Sequence, residues 1–72
     1  MQTKYKVGDT VQFNGCKSQL FVGKIKIVDS YGTFEQKEEP SYDIFVREHS
    51  AFNGAPCLIK HVRESEILGL WP

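Results

Sequence analysis

In Thr10-Val11-Gln12-Phe13 apolar and polar residues alternate, the period of a strand with one buried face. Val7 has the parity of Val11 and Phe13, and Gly8-Asp9 between them is a turn-prone pair, so the chain enters, bends and becomes a strand. In the next apolar segment Phe21, Gly23, Ile25 and Ile27 share one parity, and Leu20, Val22, Lys24, Lys26 and Val28 share the other. The pattern assigns Ile25 and Ile27 to the core and points both lysines away from it. Gly23 reads as the bulge or bend that lets a small sheet curl on itself.

A third strand is expected over Tyr42 to Arg47, with Tyr42, Ile44 and Val46 on one face and Asp43, Phe45 and Arg47 on the other. The polar, acidic stretch from Asp29 to Pro40 before it reads as a long loop or a hairpin with a frayed tip. A fourth strand is expected near Cys57 to Val62, reached through Asn53-Gly54, which supplies the positive backbone angles of a tight turn. Arg63 to Leu68 is too short for an independent helix and reads as one 3-10 turn and a final short strand that sets Ile67, with Leu68, into the core and stops at Gly69. Phe-Asn-Gly occurs at residues 13–15 and again at 52–54, but three residues of ordinary turn chemistry do not make a repeat.

No amphipathic helix of ordinary length is visible, so the class is all-β. Five short strands in 72 residues have to curl closed, because a flat sheet of that size leaves edges and one face uncovered. The order of signals is a turn ending in Gly8-Asp9, a second strand led by Gly23, a third led by Tyr42, and a short turn carrying acids and the pair Ile67-Leu68. From Tyr5 to Leu68 this order resembles the SH3-like barrels, and with the chain length it is similar to the small phage-type proteins of the YorP family. The resemblance implies a single small five-stranded barrel spanning residues 1–72. It implies little about activity, since one fold carries many functions.

Composition narrows the classes. An apolar fraction of 40%, with five Phe, three Tyr and one Trp, supports a folded core, although so short a chain buries only about 60% of its unfolded surface. Nine basic and nine acidic residues cancel, which removes the broad electrostatic pull of a basic domain on nucleic acid. The charges are nevertheless segregated. Residues 1–28 carry Lys4, Lys6, Lys17, Lys24 and Lys26 against Asp9, whereas residues 29–56 carry six acids against Lys37 and Arg47. Met1 to Lys4 leads straight into a strand-like segment rather than a leader, and no run approaches the ~20 apolar residues that span a bilayer. The expected setting is the cytoplasm, where Cys16 and Cys57 stay reduced.

Candidate chemistry is sparse. Cys16, Cys57, His49 and His61 are the right number of ligands for zinc, but none has the short paired spacing of a zinc motif, so no metal or other cofactor is expected. Cys57 and His61 fall on one strand face about 13 Å apart, too far to act as nucleophile and base. The expectation is a non-enzymatic interaction module that acts as a monomer or weak homodimer and binds a protein or peptide. Tyr31, Phe34, Phe45 and Phe52 are the candidate contacts, in or near an acidic loop suited to a basic or proline-rich segment. The competing reading has these rings capping the ends of a small barrel, with Trp71 either folded back or free. The alternative partner is nucleic acid, held by Lys4, Lys6, Lys17, Lys24 and Lys26 with Tyr5 or Phe45 as a stacking ring. Only Arg47 and Arg63 could add bidentate contacts.

Overall fold

Alternation produces β1 (Thr10–Asn14), which buries Val11 and Phe13, and, from Tyr42 to Val46, the centre of β3 (Ser41–His49), which buries Tyr42, Ile44 and Val46. The computed structural model describes residues 2–15, 19–34, 36–49 and 55–71. The expected Asn53-Gly54 turn lies outside them. Three further strands, β2 (Leu20–Asp29), β4 (Ala55–Arg63) and β5 (Ile67–Leu70), complete one antiparallel sheet in the order β4-β3-β2-β1-β5. A 3-10 turn over Glu64–Glu66 joins β4 to β5 and sets Ile67 into the core, as the sequence implies. Leu68 does not follow it inward, being 55% exposed, and Gly69 does not end the strand, which runs on to Leu70. Among the described residues no helix is long and apolar enough to cross a membrane.

The hydrogen-bonded sheet does not close: β4 and β5 remain its two edges, so the ladder of a complete barrel is not formed. Curvature covers the core instead. Val11, Phe13, Phe21, Ile25, Tyr42, Ile44, Val46, Val62 and Ile67 form one buried cluster drawn from all five strands. An edge is exposed to pairing with other chains, and here β5 has four residues while β4 carries Pro56 and an irregularity at His61.

Bulges correct the sequence reading at two points. Ile25 pairs with Ile44 but Ile27 pairs with Asp43, so Lys26 is one residue too many for β3 and the parity of β2 reverses there. Ile27, expected in the core, is 53% exposed, and Val28 packs against the core in its place. Gly23 is not the bulge. It opposes Val11, and β3 lies so close that a Cβ would sit 2.6 Å from the Phe45 carbonyl oxygen and 2.7 Å from Ile44 Cγ2. On the other side of β3, Tyr42 pairs with Val62 but Ile44 with Ile59, which places an extra residue in β4. His61 takes a φ of +61° there and donates its N–H to Asp43 Oδ1 at 3.1 Å. Asp43 thus faces a bulge on each neighbouring strand, which adds twist where the sheet must coil. The same irregularity breaks the even spacing expected between Cys57 and His61, and His61 is exposed.

The turn before β1 is as expected, although Val7 is 60% exposed rather than inward. Asp9 N–H donates to the Lys6 carbonyl at 3.0 Å, and the Lys6 N–H donates back to Asp9 Oδ2 at 3.1 Å. Gly8, at φ +97°, and Asp9 then extend the pairing to Ile25. The described residues of the loop before β3 are joined by hydrogen bonds. Gln36 is buried, and its Oε1 accepts the Glu38 and Glu39 N–H groups at 2.8 and 3.0 Å while its Nε2 donates to the Glu39 carbonyl at 3.1 Å.

This loop is tied to the 3-10 turn. Glu39 accepts the Ser65 N–H at 2.6 Å and its hydroxyl at 3.1 Å. Glu64 Oε2 accepts the Tyr42 hydroxyl at 2.7 Å and the Lys4 N–H at 3.0 Å, joining the N-terminal segment, β3 and the turn at one carboxylate. Tyr5 stacks edge-on against the Tyr42 ring with centroids 5.9 Å apart. Burial first, and then the bond to Glu64, hold the Tyr42 hydroxyl protonated well above its ordinary pKa. The unfolded chain releases that proton near pH 10 and the folded chain keeps it, so this contribution is complete below about pH 10 and falls by about 1.4 kcal/mol per pH unit above it. Denaturant melts at rising pH should therefore show the stability advantage of the wild type over Tyr42→Phe shrinking above pH 10; a constant gap would contradict the assignment.

Candidate functional site

The outer face of β2 and β3 collects the residues that alternation excludes from the core. Register aligns Thr10 of β1, Lys24 of β2, Phe45 of β3 and Leu58 of β4 as consecutive neighbours in one row across four strands. Lys26, the extra residue of the β2 bulge, lies exposed beside this row with its Nζ 6.0 Å from the centroid of the Phe45 ring. Arg47 follows Phe45 two residues along β3 and so shares its face. Together Thr10, Val22, Gly23, Lys24, Lys26, Phe45 and Arg47 line a groove of about 560 Å³.

Three cations and one aromatic ring line the groove, and no carboxylate does among the described residues. Like charges on adjacent strands repel by up to about 1 kcal/mol per pair in water. An anion placed between them relieves that repulsion and gains a charge-assisted hydrogen bond from each cation. Gly23 serves the site as well as the fold, because only a residue without a Cβ lets β3 approach β2 closely enough to bring Phe45 beside Lys24.

The structure redistributes the residues expected from sequence. Lys24 and Lys26 meet Phe45 in the groove; Lys4 and Lys6 are exposed but do not line it, and Lys17 lies outside the described residues. Tyr31 and Phe34 are 70% and 93% exposed on the β2–β3 loop, so neither caps the core, while Phe52 is outside the described residues. Lys37 Nζ lies 5.5 Å from the Phe34 ring centroid, so a cation of the chain itself already occupies that ring. Trp71 is neither fully docked nor fully free: it is 47% exposed, and its backbone N–H donates to the Thr10 carbonyl at 2.8 Å, prolonging the β1–β5 ladder. Among the described residues no three His, Cys, Asp or Glu converge on a metal position; Cys16 and the side chain of His49 lie outside them.

Arg47, named from sequence only as a possible bidentate contact and not among the candidate lysines, lines the groove with them. Its parity with Phe45 is visible in Tyr42 to Arg47, but counting charge by segment groups it with the acids of residues 29–56. Comparison with protein-family models, with curated proteins and with solved structures finds no match for this chain.

Proposed function

We propose that the chain is a non-enzymatic binding module of SH3-like architecture that holds an anionic macromolecule on the outer face of β2 and β3. The observation that carries this reading is the groove in which Lys24, Lys26 and Arg47 flank Phe45, with no carboxylate among its described lining residues. The SH3-like part of this reading draws on β1 lying between β2 and β5 and on the 3-10 turn between β4 and β5, and kinship to the YorP family is proposed with it on the sequence resemblance alone. The non-enzymatic part of the proposal goes with a groove whose described lining is mainly positive charge and one ring, the makings of a binding surface. A cytoplasmic setting, with Cys57 as a thiol, and a monomer or weak homodimer complete the proposal; Pro56 and the His61 bulge discourage pairing along β4.

Retention on immobilised heparin tests this reading. The wild type is expected to bind at low salt and elute as salt rises, and a Lys24→Gln, Lys26→Gln, Arg47→Gln variant to pass through with an unchanged melting temperature. Equal retention of the folded variant would overturn the proposal. A second reading places a basic or proline-rich peptide at Tyr31 and Phe34, favoured by the exposure of both rings on a loop that follows Asp29 and carries Glu38. Capture of a lysine-rich peptide that survives loss of all three groove cations would support it.

A further inference from the structure

We infer that the anionic partner is single-stranded nucleic acid, with a base stacked on Phe45 and the adjoining phosphates held by Lys24, Lys26 and Arg47. This rests on the anion-binding reading of the groove and adds the chemistry of the ligand.

The ring is the reason to choose among polyanions. A sulfated sugar or an acidic peptide uses the cations and has no need of an aromatic face, whereas every base has a π face that stacks on one. Phe45 is only half-buried although it stands on the solvent side of the sheet, and its cross-strand neighbours are Lys24 on one side and Leu58, 38% exposed, on the other. The row therefore sets an apolar shelf, Phe45 and Leu58, beside Lys24, with Lys26 and Arg47 lining the same groove, so that a base has a face to stack on and its phosphates have cations to meet. At 6.0 Å the Lys26 ammonium is at the outer limit of contact with the ring. A base arriving on that face displaces it toward the neighbouring phosphate, so the cation exchanges a weak partner for a strong one.

Net charge is the reason to choose a single strand. A chain with no net charge lacks the broad positive field with which basic domains hold duplex DNA through many phosphates at once. Three cations neutralise only about three phosphates, so binding depends on stacking, and stacking needs a base that is not already enclosed in a duplex. The salt dependence follows: log K should fall with log salt at a slope of about −2, from roughly −0.7 for each of the three phosphate contacts to a single strand.

Fluorescence anisotropy with three labelled probes tests the inference: oligothymidylate, an abasic strand of the same length and charge, and a duplex of the same length. Oligothymidylate is expected to bind roughly tenfold or more tightly than either of the others. Phe45→Leu should remove that advantage and leave the salt slope unchanged, whereas Lys24→Gln should leave the advantage and reduce the slope by about 0.7. Equal binding of the abasic strand, preference for the duplex, or binding of heparin but of no nucleic acid would overturn the single-strand inference and leave the anion-binding groove standing. Failure to bind any of these polyanions would overturn both. The comparison of oligothymidylate with the abasic strand uses the unaltered chain, so it decides the matter even if Phe45→Leu does not fold.

Discussion

Ile25→Ala is expected to destabilise the domain by about 2–5 kcal/mol, and Ile27→Ala, two residues away on the same strand, by less than about 1 kcal/mol. Ile25 is fully buried and Ile27 is 53% exposed, yet simple alternation makes the two equivalent. The difference tests the bulge at Lys26 directly, because without it both side chains would face the core. A chain of this length has a total stability of about 4–10 kcal/mol, so Ile25→Ala should lower the chemical-denaturation midpoint severely or abolish the transition. Similar losses for the two variants would mean that β2 continues in register through Lys26.

The second large effect is expected at Gly32. Its φ is +78°, and a Cβ there would collide with the Gln36 carbonyl oxygen and lie 2.7 Å from that of Glu39. Gly32→Ala should cost about 2–4 kcal/mol, combining a backbone angle that L-residues disfavour with two backbone clashes that no rotamer relieves. The loss should be accompanied by faster amide exchange at Glu38 and Glu39, whose N–H groups depend on Gln36. A variant as stable as the wild type, with those amides still protected, would show that the loop is not organised around Gln36.

These two sites also mark where the sequence was legible and where it was not. β1, the Tyr42-to-Val46 part of β3 and the turn into β5 were readable because their burial follows the sequence pattern, and Val11, Phe13, Tyr42, Ile44, Val46 and Ile67 are all buried. β2 was readable only as far as Ile25. A bulge adds a residue without requiring a particular type, and the residue added is a lysine, which looks the same on either side of the parity change. In β4 the irregularity falls on His61, where glycine is the usual signal of positive φ. The loop carries so many acids that it reads only as a long loop or a hairpin with a frayed tip, and the hydrogen bonds among Thr33, Gln36 and Glu39, at even spacing, were not legible in it.

The site was legible strand by strand and not as a surface. Alternation alone points Lys24, Lys26 and Phe45 outward, but their meeting depends on the pairing of Lys24 with Phe45, which no single strand encodes. For the same reason Arg47 could be named only as a possible bidentate contact, and Lys4 and Lys6 were grouped with the groove lysines on charge alone.

Mapping the amide chemical shifts of the labelled domain during titration with a short single-stranded oligonucleotide tests the central claim most directly. The account predicts that Lys24, Lys26, Phe45 and Arg47 shift together while Tyr31 and Phe34 stay in place. Shifts gathered on Tyr31 and Phe34, or none at all, would contradict it.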